Sequence, residues 1–354
     1  MRIIQRLYLK DFLKLLFILA AGLSTIFSLL DIIDKMASFR PGRSSAAELV
    51  LYISYNIPRF FLYILPMSVL ISSLFTFSQA FRRKEITAIK AAGGRMRRLF
   101  YPFIGMGVIL SIFAFATGEI IVPEFSKRAV DLRYTLEGKS RKINVTEGGF
   151  WLRSKDGSPV KIDIYYAEKK TAKGISIFII GADSLRERIV AEKAEWDGKT
   201  WVLHGVTRYN IETGKVEESK TMIYGGLESP DFFVEELKSA GEMSIAELYR
   251  YIQRLRHAGF RNVKLAVDLD SKISFPIVSL FMMLLGISLS LRVSLGGGLF
   301  SAGLGLLISL VYWFSYTFSL SMGYAGVVPA FIAAWTVPCV FGALSLYLFI
   351  SAPE

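Results

Sequence analysis

The sequence predicts a membrane α-helical bundle of six transmembrane helices, with a β-rich domain inserted between the third helix and the fourth. Three observations support this prediction. The 354-residue chain is 53% hydrophobic and has a mean hydropathy of +0.43. Its apolar residues are gathered into six long runs, and the stretch between the third and fourth runs alternates short β-prone segments with turn sequences. Together these features are typical of a polytopic membrane protein rather than a soluble one.

Each of the six runs is long enough to cross a hydrocarbon core of about 30 Å, which requires roughly 20 apolar residues. The four basic residues among the first 14 place the N-terminus in the cytoplasm by the positive-inside rule. Alternation then puts the loop 82–98 inside, the block 123–270 outside and the C-terminus inside. The runs are Leu15–Ile33, Pro58–Ala80, Leu99–Val122, Ile273–Leu291, Leu299–Met322 and Val327–Ile350.

The cytoplasmic loop 82–98 carries seven Lys or Arg residues against one acid, Glu85. Its part Arg83–Ala92 has no helix breaker, and Ile86 and Ile89 recur at helical spacing before a Gly-Gly pair that marks a stop. We therefore expect a short helix on the cytoplasmic surface, held at both ends by rigid spans. Two roles stay open for it at this point, an anchor on lipid headgroups and a docking element for a partner.

The net charge of +12 follows the membrane topology, and so it does not indicate nucleic-acid binding. The block 123–270 holds 25 basic and 23 acidic residues and is nearly neutral. The positive excess lies instead at the N-terminus and in the loop 82–98, next to membrane spans. We expect membrane lipid, and no nucleic acid, among the partners of this chain.

Motifs for nucleotide, nucleophile and metal chemistry are missing from the sequence. There is no GxxxxGK[ST] phosphate loop, no nucleophile elbow and no HExxH pattern. The single cysteine, Cys339, allows no internal disulfide and no Cys-based metal site, and the two histidines, His204 and His257, are far apart in sequence. We expect no catalytic residues, no metal site and no cofactor. Energy for any transport would then come from a separate subunit.

Cations gather at the outer membrane face, where the positive-inside rule does not favour them. Lys35, Arg40 and Arg43 follow the first apolar run, and Arg59 lies just inside the second. Snorkelling to the interface, or an ion pair with Asp34, explains each residue taken alone. Several cations that converge on one face would instead form a site for an anionic headgroup. Both interpretations stay open at this point.

The inserted block changes character between residues 143 and 227. Short β-prone runs alternate there with turn signals such as Asp156-Gly157 and Asp197-Gly198, which predict hairpins. About eight short strands in so short a block indicate a sandwich or a jelly roll. Ser244-Ile-Ala-Glu247 then matches a capping box and opens an amphipathic connecting helix over 244–258.

These patterns divide the chain into three parts. Residues 1–122 hold the first three spans and the helix in the loop 82–98. Residues 123–268 hold the β domain and the connecting helix, and residues 269–354 hold the last three spans.

Several motifs in this sequence resemble the LptF/LptG family of lipopolysaccharide export permeases. The layout of three spans, an external β-jelly roll and three further spans is the family's own and covers nearly the whole chain. The stretch GFWLRSKDG at 149–157 and the run GISI at 174–177 resemble LptG more than LptF. The other local matches are Pro58-Arg59 with Leu65-Pro66-Met67, Lys84-Glu85-Ile86, Ala91-Ala92-Gly93, Gly118-Glu119, Val122-Pro123 and Ser271-Lys272 with Pro276.

The resemblance implies a function and a set of partners. An LptF–LptG heterodimer forms a cavity open to the outer leaflet of the bacterial inner membrane, and two copies of the cytoplasmic ATPase LptB drive it. A periplasmic β-jelly roll passes lipopolysaccharide to LptC and to a bridge of the LptA type. The chain would be a multi-pass inner-membrane protein with a periplasmic domain. The alternatives are the LptF role, an exporter of another anionic lipid, and a membrane-anchored periplasmic adaptor that does not transport.

The resemblance also implies an ATPase-coupling site in the cytoplasmic loop. Glu85 matches the acidic residue of the family's coupling helix, which docks in a groove on the ATPase. Arg83, Ile86 and Ile89 lie beside it on the same short helix and complete the expected coupling residues.

A lipopolysaccharide-binding site is implied as well. Arg59 and Arg133 match basic positions of the cavity that face the phosphorylated lipid A, and Lys35, Arg40 and Arg43 lie in the same first-span region. The family's Lys-Lys pair just after Asp34 reads Ala37-Ser38 here, and we expect Lys35 and Arg40 to take its place. In the β domain, four inward apolar positions form either ordinary core or a slide for acyl chains: Phe150, Leu152, Ile177 and Ile179.

Overall fold

The structure is a computed structural model of the chain. Within the residues that it describes, the chain forms nine α-helices, one π-helical turn, one 3-10 turn and seven β-strands. Arg40, Arg43 and Gly93 lie outside those residues. The described ranges are 2–39, 45–92, 96–137, 142–144, 150–154, 156–166, 170–181, 185–227, 229–230, 239–257, 262–292 and 298–351.

Six helical stretches are long and apolar enough to cross a membrane, which confirms the six predicted spans. Five of the helical stretches extend beyond their apolar runs, because polar and charged turns at the membrane surface continue a helix without a break. The last one begins at Ala330, inside its run, after the N-cap residue Pro329. In chain order the helices are α1 (Arg2–Met36), α2 (Ala46–Arg82), α3 (Glu85–Ala91), α4 (Met96–Ala116), α5 (Val122–Glu137), α6 (Ile245–His257), α7 (Val263–Arg292), α8 (Gly298–Tyr324) and α9 (Ala330–Ile350).

Helices α2 and α7 form the centre of the bundle. In the most apolar part of each, 67% of the α2 residues and 72% of the α7 residues are buried, against 28–33% in the other four spans. The Phe77 ring of α2 packs edge-on against Phe100 and Phe103 of α4, with centroids 5.0 and 4.8 Å away. A Cβ at Gly286 of α7 would clash with the Ser73 side chain of α2. Glycine therefore lets these two helices approach closely.

The helix of the third span continues beyond the predicted apolar run. We expect a span over Leu99–Val122, but the helical stretch continues to Glu137. A π-helical turn at Thr117–Ile121 precedes Pro123, and in it the Val122 N–H bonds the Thr117 carbonyl. Because proline lacks an N–H and its ring crowds the preceding turn, a widened turn lets the helix pass through it. The predicted domain boundary at 122 falls inside this continuous stretch and stays a prediction.

The inserted domain is one antiparallel sheet in the order β1-β3-β4-β5-β6-β7, with β2 also paired to β3. Its central strands follow each other as a meander. The jelly-roll arrangement itself stays a prediction. The strands are β1 (Lys142–Asn144), β2 (Phe150–Arg153), β3 (Pro159–Tyr166), β4 (Thr171–Ile180), β5 (Leu185–Trp196), β6 (Trp201–Asn210) and β7 (Val216–Tyr224).

Both predicted Asp-Gly turns lie at hairpins. Gly157 joins β2 to β3 with φ +85°, and Gly198 joins β5 to β6 with φ +104°, a left-handed conformation that favours glycine. The Asp197 carboxylate accepts hydrogen bonds from the N–H groups of Lys199 and Thr200 at 2.8 and 2.7 Å. These two bonds lower the pKa of Asp197. The hairpin prediction is therefore confirmed at both turns.

One face of the sheet carries its apolar core. Ile177 of β4 pairs in register with Ile189 of β5, and both are buried beside Trp201 of β6. Ile179 is partly buried against the same cluster. The Phe150 and Leu152 side chains lie outside the part of the chain that the structure describes. The described inward positions therefore act as sheet core.

The connecting helix α6 begins with the predicted capping box. The Glu247 N–H donates to Ser244 Oγ at 3.2 Å, and the Ser244 N–H donates to the Glu247 carboxylate at 3.1 Å. Each residue thus satisfies a backbone donor that the helix start leaves without a partner. Helix α6 then packs on α7 and leads the chain back to the membrane bundle.

Candidate anion-binding cavity

A cavity of about 1150 Å³ opens between the bundle and the segment that follows the sheet. Its walls come from the end of α1, the first half of α2, α5, α7 and α8, and the segment 239–245 closes one side. Lys35, Arg59 and Arg133 all line it, although they are far apart in the sequence. The structure thus brings together three of the five cations expected at the lipopolysaccharide-binding site. Arg40 and Arg43 lie outside the described residues.

Lys35 is held by a carboxylate from its own helix. Its Nζ lies 2.7 and 2.8 Å from the two Asp31 carboxylate oxygens, one turn back along α1. It also donates to the Tyr52 hydroxyl at 3.0 Å, and that hydroxyl donates to Asp31 at 2.9 Å. The partner of Lys35 is therefore Asp31 and not Asp34, because residues four apart face the same side of a helix.

Arg133 has the same arrangement on α5. Its Nε donates to Glu137 Oε1 at 2.7 Å. The Glu137 side chain is only 4% exposed, whereas the Arg133 side chain is 43% exposed. Ser38, just past the end of α1, donates to the same Glu137 oxygen at 3.4 Å. The Arg133 and Glu137 side chains both line the cavity, and the more exposed Arg133 guanidinium is the partner that a ligand can reach more readily.

Arg59 differs from the other two cations. Its side chain is exposed, and its guanidinium carbon lies 5.5 Å from the centroid of the neighbouring Phe60 ring. Among the described residues, no carboxylate lies within 4.0 Å of it. Arg59 therefore attracts an anion more strongly than Lys35 or Arg133, whose charges are already partly neutralised by carboxylates.

An aromatic wall faces these cations. The Phe275 ring of α7 lies 5.7 Å from Tyr63 of α2 and 5.7 Å from Tyr316 of α8, measured between centroids. Leu62 and Leu320 extend the apolar lining. One cavity therefore offers both positive charge and apolar surface. Such a combination suits a ligand with anionic groups and hydrocarbon chains.

A polar cluster at the side formed by residues 239–245 was missed by the sequence reasoning. Lys272 of α7 donates to the Met243 carbonyl at 2.7 Å. The Glu119 carboxylate, in the π-helical turn, accepts from the Ile245 N–H at 2.6 Å. Tyr324 donates to Asp268 at 2.6 Å. The first two bonds fasten the start of α6 to the third and fourth spans, and the Tyr324–Asp268 bond joins α8 to α7. The sequence did show charged residues at the ends of the apolar runs, but it did not show which groups they contact.

The expected coupling helix forms as α3, at the opposite end of α1 from the cavity, but it begins at Glu85 and not at Arg83, which is the C-cap residue of α2. The Glu85 carboxylate accepts a hydrogen bond from the Tyr8 hydroxyl of α1 at 2.5 Å, and Arg83 lies 3.9 Å away. Ile86 is fully buried in the bundle core, and Ile89 packs against the same core. The two isoleucines thus hold α3 on the bundle, while Glu85 stays partly exposed at the surface.

Metal ligands do not cluster in the described part of the chain. No group of three or more His, Cys, Asp or Glu side chains there could hold a metal ion. The cavity therefore presents charged and apolar side chains for binding, and the described residues offer no metal centre.

Six spans with an inserted sheet and a cavity among the helices define a multi-pass membrane protein of the permease class. Residues 6–351 match the family described as Lipopolysaccharide export system permease LptF/LptG. The chain belongs to this family. Six helices able to span a membrane, together with this membership, imply a multi-pass protein of the inner membrane.

Curated relatives point to one branch of the family. The chain is 22% identical over 277 residues to the lipopolysaccharide export system permease protein LptG of Escherichia coli K12, covering 75% of each chain. It is 23% identical over 348 residues to the protein LptG of Haemophilus influenzae, covering 95% of this chain and 92% of the relative. The expected resemblance to the family, and to LptG within it, is thereby confirmed.

Proposed function

We propose that this chain is an LptG-type transmembrane subunit of an ATP-driven lipopolysaccharide extractor. It would take lipopolysaccharide from the outer leaflet of the inner membrane, together with an LptF-like permease and a dimer of the ATPase LptB. The observation that carries this proposal is the cavity, which joins Lys35, Arg59 and Arg133 to an aromatic wall.

The chemistry of the cargo fits this cavity. Lipid A combines several acyl chains with anionic phosphate groups. The wall that contains Tyr63, Phe275 and Tyr316 can contact the acyl chains, and the cations can bind the phosphates. Arginine pairs with phosphate through two parallel N–H···O bonds, which are stronger than neutral hydrogen bonds. Arg59 is best placed for this because no carboxylate of the described residues holds it.

The sheet is proposed to lie in the periplasm as a β-jelly roll that passes cargo to LptC and an LptA-type bridge. The basic loop 82–98 supports a periplasmic location of the sheet, because the loop indicates that the opposite face of the membrane is cytoplasmic. The segment 239–245 closes one side of the cavity and lies between the sheet and α7 in the chain. Because this segment both lines the cavity and connects the sheet to α7, it is the proposed route by which cargo passes from the cavity to the sheet domain.

Coupling to the ATPase is proposed to run through α3. Glu85 is partly exposed at the bundle surface, and Ile86 anchors the helix in the core. The Tyr8 hydroxyl binds the Glu85 carboxylate. Helix α1 carries Tyr8 near one end and Lys35 near the other, a separation of about 40 Å at 1.5 Å per residue. A movement of α3 can thus be transmitted to the cavity along α1, which is one continuous helix.

Replacing Tyr8 with phenylalanine should weaken coupling without removing the ATPase. The ring can keep its edge contact with Phe77, but Glu85 loses its hydrogen bond and samples more rotamers. We expect the amount of lipopolysaccharide moved per ATP hydrolysed to fall roughly threefold to tenfold, because a typical hydrogen bond contributes about 0.5–1.5 kcal/mol and Glu85 is partly exposed. Tyr101→Phe on α4, an exposed tyrosine, is the control. An unchanged ratio in Tyr8→Phe would remove α1 from the coupling path.

Co-purification tests the proposed function as a whole. The tagged chain is expressed either from its own operon or together with the proposed partners. It should then purify in detergent with an LptB-type ATPase and a second permease. The paralogous LptF role predicts the same ATPase but an LptG-like partner chain. A membrane-anchored periplasmic adaptor should purify without an ATPase, and that outcome would reject the proposal. An exporter of another anionic lipid would carry that lipid instead of lipopolysaccharide.

A further inference from the structure

We infer that Asp31 and Glu137 are resident counter-ions of the cavity cations, that the phosphates of the cargo must share the cations with them, and that they thereby set how readily bound cargo is released. This inference rests on the proposed function. It assigns a role to two carboxylates that the proposed binding site does not use.

The geometry places each carboxylate on a cavity cation. Lys35 Nζ lies 2.7 Å from Asp31, and Arg133 Nε lies 2.7 Å from Glu137, each pair spanning four residues of one helix. Lys35, Arg133 and Glu137 line the cavity. A phosphate that enters must therefore share these cations with the carboxylates or replace them.

Both carboxylates are held in position by further groups. Tyr52 of α2 donates to Asp31 at 2.9 Å. Ser38 donates to Glu137 at 3.4 Å, and the Glu137 side chain is almost fully buried. Because these contacts come from neighbouring segments, the carboxylates stay beside the cations when a ligand arrives. They then repel a bound phosphate, since like charges at short range oppose each other in a partly dehydrated site.

This repulsion has a direct consequence for transport. Four cations line the cavity, with Lys272 the fourth; without counter-ions they would hold a multiply phosphorylated lipid tightly, and a carrier must also let its cargo go. Two carboxylates lower the net attraction while the cations keep their hydrogen-bond donors for orientation. Arg59, which lacks a carboxylate among the described residues, would supply most of the initial attraction.

The simpler role for such pairs is to stabilise their own helices, and the chain contains a matched control for it. Arg128 and Glu124 form an ion pair on the same helix α5, also four residues apart and at 2.9 Å. Neither residue lines the cavity. If Asp31 and Glu137 act only on helix stability, removing the acid from any of these pairs should leave lipopolysaccharide retention by the folded complex unchanged.

The experiment uses the whole complex purified in detergent, with lipopolysaccharide as the probe. Asp31→Asn and Glu137→Gln are made singly and together, and lipopolysaccharide retained per complex is measured before and after ATP is added. The double variant should retain about fivefold more than wild type and release it about fivefold more slowly, for two ion pairs removed. Glu124→Gln should behave as wild type. The single variants keep the test valid if the double variant does not fold.

The outcomes separate this inference from the proposed function. If wild type retains lipopolysaccharide and releases it with ATP, but the variants retain no more than wild type, the counter-ion role is wrong. Retention that rises equally in Glu124→Gln would also overturn it. If wild type itself retains no lipopolysaccharide, the proposed function fails first.

Discussion

Replacing Arg59 and Arg133 together with glutamine should reduce photocrosslinking of lipopolysaccharide to the cavity by roughly tenfold to a hundredfold. A hydrogen-bonded charge pair contributes about 1.5–3 kcal/mol, and 1.4 kcal/mol is a factor of ten in affinity. The two arginines should not contribute equally. Arg59 has no carboxylate partner among the described residues, whereas Arg133 is already held by Glu137 at 2.7 Å. Arg59→Gln alone should therefore reduce crosslinking of lipopolysaccharide more than Arg133→Gln alone.

Arg128→Gln on α5 serves as the control for this double variant. It removes an arginine from the same helix as Arg133 but outside the cavity. Crosslinking should stay at the wild-type level in this control, and thermal unfolding of the purified complex should show that both proteins are folded. Unchanged crosslinking in the double variant would reject a headgroup-binding role for the two arginines.

Reversing the charge of Glu85 should uncouple the ATPase. In Glu85→Lys the carboxylate that binds the Tyr8 hydroxyl is lost, and a new cation lies next to Arg83. The change also places a positive charge where the proposed groove on the ATPase accepts a negative one. Swapping an attractive charge for a repulsive one at an interface costs several kcal/mol. We expect lipopolysaccharide transport to fall by roughly a hundredfold or more.

A neutral variant separates the charge from the hydrogen bond. Glu85→Gln keeps an acceptor for the Tyr8 hydroxyl and loses only the charge, so its transport rate should fall between wild type and Glu85→Lys. The ATPase content of the purified complex gives the second readout. If Glu85→Lys kept its full share of LptB and its transport rate, Glu85 would have no part in coupling.

Patterns local in sequence predicted their elements well. The six apolar runs gave the six spans, both Asp-Gly pairs gave hairpins, and Ser244 with Glu247 gave the capping box. Each of these depends on hydropathy or on hydrogen bonds between residues close in the chain. Hydropathy did not show that the helix of the third span continues past Val122, where a π-helical turn carries it through Pro123.

The candidate site could be predicted only in part. The residues lining the cavity include Lys35, Arg59 and Arg133. Residue types alone left both snorkelling and a headgroup site open for the cations of the first two spans, and the family resemblance favoured the headgroup site. The Lys35–Asp31 pair was readable from its four-residue spacing on α1, yet Asp34 was considered instead. The contacts of Glu119 and Lys272 join segments more than 25 residues apart. Tertiary packing sets such contacts, and the sequence gives no local signal for them.

The sequence also could not predict that Ile86 is buried. Helical spacing of Ile86 and Ile89 showed that they share one face of α3, but not whether that face meets a partner or the bundle. The structure buries Ile86 completely among the spans. The exposed acid on the same helix is therefore the residue left to meet the ATPase in the proposed function.

A pair of photoreactive residues on α8 tests the cavity as the binding site most directly. Leu320 lines the cavity, and Phe318, two residues away at nearly the same depth, is 67% exposed on another face. A photoreactive amino acid at 320 should crosslink lipopolysaccharide, and the yield should fall when ATP drives release. The same residue at 318 should give little adduct. Equal adducts at both positions, or adducts at 318 alone, would contradict lipopolysaccharide binding in this cavity.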